Sequence, residues 1–151
     1  SFANVIQRET GKDISLIPGS GAAGGLGGGM MAFLNAELKS GADLLLEYCR
    51  FEEKIADADL IITGEGSIDR QSLMGKIPGK ILQTAQKHHI PVIAVSGISK
   101  DRDILKHAGF KGIYTTKPDS MAIEEAMKPG IAEQNLKNTV LSIFSSPINF
   151  D

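Results

Sequence analysis

Apolar positions along the 151-residue chain follow two different grammars. In the first third they recur at helical spacing. Residues 3–9 predict a short helix, and Asp13 to Ile17 a short extended piece. Met30, Met31, Phe33, Leu34 and Leu38 recur at intervals of three and four, which predicts a helix that Gly41 interrupts. A further helix over roughly 42–56 carries Leu44, Leu45, Tyr48 and Ile55 as its buried stripe.

From residue 57 short apolar runs alternate with helical patterns. Leu60-Ile61-Ile62-Thr63 stops at Gly64-Glu65-Gly66, Ile90-Pro91-Val92-Ile93-Ala94-Val95 stops at Ser96-Gly97, and Gly112-Ile113-Tyr114-Thr115-Thr116 stops at Lys117-Pro118. Runs rich in β-branched residues and apolar on both sides predict strands covered on both faces. Pro78 is placed to open a helix with Ile81, Leu82 and Ala85 inward, ending near His88. A helix around 101–108 buries Ile104 and Leu105 and ends at Gly109. Ser120 is the expected cap of one around 121–128, and a last helix around 131–144 buries Leu136, Val140, Leu141 and Phe144. Strand, helix, strand, helix, strand predicts an α/β fold with a Rossmann-like parallel sheet. The expected organisation is a Gly-rich helical part over 1–56, which the family resemblance given below implies to belong to a second lobe, the Rossmann-like α/β part over 57–146, and a loose terminus at 147–151.

Composition narrows the function classes. Sixteen basic against 18 acidic residues leave a formal charge of −2, with no basic cluster to draw nucleic acid. The longest aliphatic run, Leu44-Leu45-Leu46, is too short to span a bilayer, and the expected location is cytoplasmic. Cys49 is alone, which removes an internal disulfide and any cysteine-rich zinc site. The first residue is not Met, which reads as a processed or excised chain. The anomaly is glycine: seven of the 17 lie between Gly19 and Gly29.

Two segments carry candidate chemistry. Gly19-Ser20-Gly21-Ala22-Ala23-Gly24 matches the dinucleotide fingerprint letter for letter, with Gly25 next, although Pro18 precedes it and the segment before it is a weak strand. Exposed amides ahead of a helix also suit phosphate or carboxylate generally. A third reading is close packing of small residues against a neighbour. The second segment runs from Thr63 through Gly64, Glu65, Gly66, Ser67, Asp69, Arg70, Gln71 and Ser72 to Lys76, directly after the best strand. Ligands of open α/β sheets bind beyond the carboxyl ends of strands. Carboxylates such as Glu65 and Asp69 can hold Mg²⁺ or accept a hydroxyl proton, and a lysine such as Lys76 can neutralise phosphate. His88, His89 and His107 fall near helix C-termini and read as structural.

Taken together, PGSGAAGGLGGG, Ala36-Glu37-Leu38-Lys39-Ser40-Gly41, the run from Ala58 to Asp69, Gln71 to Pro78, and Pro91 to Gly97 closely resemble the carboxy-terminal part of bacterial-type glycerate kinases. The order and spacing hold from about residue 18 to 146. The resemblance implies ATP- and Mg²⁺-dependent phosphorylation of D-glycerate by a longer, two-lobed enzyme with its active site between the lobes. It also implies contact with an amino-terminal part, or self-association, at the sheet. By position it implies Asp69 as the base or a Mg²⁺ contact, Glu65 as the metal partner, and Lys76 as the charge clamp. Gly19, Ser20, Gly21, Gly24, Gly25, Gly64, Gly66, Arg70, Gln71 and Ser72 would surround phosphate or substrate. Position 67 is Ser where many members carry Arg, so Arg70 is the candidate for the substrate carboxylate. The competing readings are a non-catalytic fragment or nucleotide-binding module, and an NAD(P)-dependent oxidoreductase.

Overall fold

The computed structural model describes residues 1–145, so the expected terminus at 147–151 lies outside the described residues. Contacts divide the chain into two compact units, Ser1–Gly41 and a second beginning at Ala42.

The first unit holds α1 (Phe2–Thr10) and α2 (Leu26–Leu34), joined by turns and a short 3-10 helix at Ala22–Gly25. Asp13 to Ile17 is not extended. Asp13 instead folds its carboxylate onto the N–H and hydroxyl of Ser15 (2.9 and 2.6 Å), an Asx-type turn that competes with strand geometry. In α2 the buried residues are Gly27, Gly28 and Ala32, while Met30, Phe33 and Leu34 are exposed. The small residues, not the large ones, form the packed face. Asn35 ends the helix in the left-handed region (φ 51°), so Leu38 lies beyond it. Lys12 Nζ donates to Ala32 O and Asn35 Oδ1 (2.7 and 2.6 Å), satisfying an end carbonyl of α2.

The second unit is an α/β layer. Strands β1 (Ile61–Ile68), β2 (Val92–Ser99) and β3 (Gly112–Thr115) form a parallel sheet in the order β1-β2-β3. Ile61 pairs with Val92, Glu65 with Ser96, and Val95 with Tyr114. Both β1 and β2 run past the glycines expected to stop them. Gly64-Glu65-Gly66 and Ser96-Gly97 are strand residues, because a glycine without a side chain lets parallel backbones close up. A Cβ on Gly64 would sit 2.6 Å from Val95 O, and one on Gly97 2.7 Å from Gly66 O.

One sheet face packs Ile61, Val92, Ala94 and Ile113 against Leu82 and Ala85 of α5 (Ile77–Lys87) and Leu105 of α6 (Arg102–Ala108). The opposite face buries Ile93 and Val95 under Ile143 of α8 (Pro129–Phe144). β2 is covered on both faces, its first five residues all buried. On β1 burial alternates, and Ile62 stays exposed, as befits an edge strand.

Several helical expectations change. The single helix over 42–56 is two, α3 (Gly41–Tyr48) and α4 (Phe51–Lys54), broken where Arg50 takes φ 49°. Ala42 and Ile55 are buried, whereas Leu44, Leu45 and Tyr48 are exposed. Ile104, Leu136, Leu141 and Phe144 are likewise exposed. Ala122 rather than Ser120 caps α7 (Ile123–Ala126).

Candidate active site

The candidate chemistry of the second unit gathers where β1 ends. Glu65 lies within β1, three residues before its last, so its carboxylate is placed by the sheet rather than by a loop. Beyond Ile68 the chain turns at once. Asp69 caps a short 3-10 helix, Arg70–Leu73, by accepting the N–H of Gln71 at Oδ1 (2.8 Å). Ser72 closes the reciprocal half of this capping box: its Oγ accepts the Asp69 N–H at 3.3 Å. The same hydroxyl donates its proton to Glu65 Oε1. A chain of hydrogen bonds therefore links the strand carboxylate, a fully buried serine and the backbone of Asp69.

Two further bonds hold the turn from the other side. Lys100 N–H donates to Ile68 O (2.9 Å) and Arg70 N–H to Asp101 Oδ2 (3.3 Å). Asp101 caps α6 in the left-handed region (φ 52°), a conformation that short polar side chains tolerate best. Its carboxylate also faces the Arg70 guanidinium at 3.8 Å, a pair open to solvent on the arginine side. Nothing in the sequence pattern marked Asp101. Its signal was available only as an Asp directly before a helix, which is a cap signal and not a site signal.

The connection then runs through exposed Met74 and Gly75 (φ 86°) to Lys76, which caps α5. The 3-10 helix and α5 touch so closely that a Cβ on Gly79 would sit 2.5 Å from Ser72 O and 2.9 Å from Leu73 Cα. Lys76 is exposed and makes no ion pair among the described residues.

The expected binding residues thus separate. Glu65, Asp69, Arg70, Gln71 and Ser72 come together, and Gly64 and Gly66 lie in the adjoining strand. Ser72 lies deepest of these. Fully buried, with its hydroxyl engaged both as donor and as acceptor, it positions the turn.

A cleft of about 400 Å³ opens on the other sheet face at this end, lined in part by Thr63, Gly64, Glu65, Ser96, Gly97 and Thr116. Ser96 turns its hydroxyl to Ile98 O (2.9 Å), while Ser99 Oγ meets Thr115 Oγ1 at 2.7 Å. Two of the histidines make local contacts. His88 Nε2 meets Glu52 Oε1 at 2.9 Å, and His107 Nδ1 lies 2.6 Å from Asp103 O. That hydrogen bond from His88 holds the Glu52 carboxyl below its ordinary range.

In the first unit the glycine segment is described by itself. Gly19, Gly24 and Gly25 have φ of 88°, 68° and 98°, and Ala23 joins them at 51°. Several amides are already engaged: Ser20 N–H with Ile17 O (3.1 Å), Ala22 N–H with Gly19 O (2.9 Å), and Gly25 N–H with Gly21 O (3.3 Å). A Cβ on Gly27 would meet Gly19 O at 2.6 Å, and one on Gly28 would meet Ile14 Cδ1 at 2.5 Å. Close packing is therefore one role of this segment. Gly21 and Gly24 face open space, which leaves them as the surface a ligand can approach. No strand precedes Gly19 among the described residues, so the strand-loop-helix context of the dinucleotide fingerprint is missing.

A sequence model of the glycerate kinase family matches residues 1–146. The chain belongs to the glycerate kinase family. It is 41% identical over 140 residues to the glycerate kinase of Halalkalibacterium halodurans, covering 91% of this chain and 37% of that protein. It is 39% identical over 128 residues to the glycerate 2-kinase of Escherichia coli K12, covering 84% of this chain and 34% of that one. A crystal structure described as glycerate kinase 2 from Salmonella typhimurium LT2 superposes with a TM-score of 0.60 at 29% identity, over 93% of this chain and 37% of the other. The chain thus spans little more than a third of the length of these family members. No helix among the described residues is long and apolar enough to cross a membrane.

Proposed function

We propose that this chain is the carboxy-terminal portion of a cytoplasmic glycerate kinase that transfers the γ-phosphoryl group of ATP to a hydroxyl of D-glycerate. The Gly-rich helical segment belongs to the second lobe of that enzyme and the parallel sheet to its Rossmann-like lobe. One observation carries the reading: Asp69 is fixed at the carboxyl end of β1 by a capping box that is itself anchored on Glu65. Phosphoryl transfer asks a protein mainly for positioning and charge neutralisation, and a carboxylate held this way is suited to both.

Asp69 accepts the proton of the attacking hydroxyl. Arg70, steadied through its backbone by Asp101, faces the substrate carboxylate. Lys76 neutralises charge on the transferred group, and the exposed glycine backbone at Gly21 and Gly24 supports anionic oxygens. Among the described residues no three His, Cys, Asp or Glu side chains form a cage for a metal ion. That fits Mg²⁺, which is commonly held by one or two carboxylates together with nucleotide phosphates. Asp69 and Glu65 would hold it, the latter through the carboxylate oxygen that Ser72 does not engage. Bound Mg·ATP would supply the phosphoryl group and lower its charge.

The test is Asp69→Asn in the whole protein that carries this chain. Asparagine keeps the acceptor for Gln71 N–H, and so the turn, but cannot take a proton. Turnover with D-glycerate and Mg·ATP is expected to fall by about 10³-fold or more, with KM values little changed. Near-normal turnover would remove Asp69 from the chemistry.

A further inference from the structure

A second cleft adjoins the candidate site and has no role in the account above. It occupies about 560 Å³ at the carboxyl ends of β1 and β2, beneath α7 and the start of α8. Its floor is backbone. Gly66 and Gly97 lie side by side on neighbouring strands, the second so close to Gly66 O that no side chain fits between them. A floor of this kind puts no side chain in the way of a planar ring. The walls are apolar: Ile98 from β2, and Ile123, Ala126 and Met127 from the α7 segment.

Ile123 and Met127 are well exposed, the latter at 73%. Two large apolar side chains thus border a cavity without filling it. The polar groups are few and sit at the edge, chiefly Ser67 and Thr116. A mostly apolar slot with a few placed polar groups is the usual make-up of a small-molecule site.

The crossover that carries the far wall is also fixed in place. Lys117 Nζ donates to Pro118 O (2.9 Å) and Met121 O (3.0 Å), pinning the loop that leads from β3 into α7. A lysine bound to two carbonyls does not itself reach for phosphate. Its job here is to hold a wall. Gly97, Thr116 and Ala132 line both this slot and the cleft that contains Glu65, so the two adjoin. Among the described residues the Glu65 cleft is lined by no cationic side chain and largely by apolar groups such as Ile62, Leu136 and Val140. The anionic end of a ligand seated in the slot turns instead to the end of β1, where Arg70 and Lys76 follow in the chain. The ring lies on the glycine floor, and the charged tail runs toward the end of β1.

We infer that the slot lined by Gly66, Gly97, Ile123, Ala126 and Met127 seats the purine base of the donor nucleotide. This rests on the kinase reading above. It adds where the base lies and which residues set nucleotide preference. A β1 edge at Ser67 and the Thr116 hydroxyl offer the hydrogen bonds that distinguish one base edge from another.

The experiment uses the whole protein with Ala126→Phe, which fills the slot, and Met127→Ala, which removes a wall without adding bulk. In Ala126→Phe the KM for Mg·ATP is expected to rise about 10-fold or more, with the KM for D-glycerate and the melting temperature unchanged. Met127→Ala should raise the KM for Mg·ATP by a smaller factor. Adenosine should compete with ATP in the wild type and lose that competition in Ala126→Phe. Inorganic triphosphate, which has no base, should inhibit both proteins equally.

Unchanged KM for Mg·ATP in both variants would overturn the assignment while leaving the kinase reading intact. So would an equal loss of adenosine and triphosphate inhibition, since that would mean the variant damages the phosphate region. If the wild type with Mg·ATP does not phosphorylate D-glycerate, the kinase reading fails by itself. Adenosine binding by calorimetry then decides the slot separately: binding that Ala126→Phe abolishes supports it, and no binding to the wild type overturns it.

Discussion

Ser72→Ala is the most direct probe of the relay that holds the candidate base. The hydroxyl is fully buried, donates to the Glu65 carboxylate and accepts the Asp69 N–H. A hydrogen bond to a charged group contributes about 1.5–3 kcal/mol, and a neutral one about 0.5–1.5 kcal/mol. Glu65 is only half-buried, so water recovers part of the loss at its carboxylate, and the amide bond is long at 3.3 Å. A net loss of about 2 kcal/mol follows. With a urea dependence of about 2 kcal/mol per molar, the midpoint should fall by about 1 M.

Circular dichroism at the helical band is the suitable signal, because the chain has two tyrosines and no tryptophan. Glu65→Gln is the control. Its amide oxygen still accepts the serine hydroxyl, so it should lose about half as much. A Ser72→Ala midpoint within about 0.2 M of the wild type would refute the reasoning, because the hydroxyl would then be replaceable at no cost.

Two glycines should respond in opposite directions to the same substitution. Gly79→Ala drives a methyl into Ser72 O and Leu73 Cα, and should destabilise by about 1–3 kcal/mol. Gly130→Ala meets nothing within 4 Å in α8, and should stabilise by up to about 1 kcal/mol. Urea unfolding of both variants checks the pair, and equal signs would contradict it. For Glu52, the hydrogen bond from His88 holds the carboxyl below its ordinary value of 4.5. A depressed carboxyl pKa contributes stability that is present above the unfolded value and is lost as pH falls through the folded one. Carboxyl NMR titration should therefore show a Glu52 midpoint below 4.5 that His88→Ala returns toward it.

The alternation of elements was legible because β-branched runs and Pro78 are local signals that tertiary structure had no reason to override. Strand ends were not. Gly64 and Gly97 are turn residues by local propensity, yet they serve as strand residues here because their neighbours' carbonyls occupy the space a side chain would take. The reversal in α2 has a related cause. Periodicity assigns large apolar residues inward, and it has no means of knowing that a backbone loop will lie on the glycine face instead.

The candidate site was half legible. Asp69 and Glu65 stand out by charge and by their place after a strand. Ser72 is an ordinary polar residue in the sequence, and only the fold shows it buried between them. Asp101 lies 31 positions from the amide it accepts, a separation that no local pattern spans.

The three glycines inside α2 have a consequence for how the first unit holds its shape. Each costs a helix interior roughly 0.5–1 kcal/mol relative to alanine, so the nine-residue segment is a poor helix by itself. What supports it is the backbone that rests on Gly27 and Gly28, including the bond from Gly28 N–H to Ser20 O (2.9 Å). That backbone is in turn a run of turns leading into the short 3-10 helix, with Gly19, Ala23, Gly24 and Gly25 in the left-handed region. Ordering of the loop and winding of the helix are therefore a single cooperative event. Any anion that steadies Gly21 and Gly24 winds the helix behind them as well.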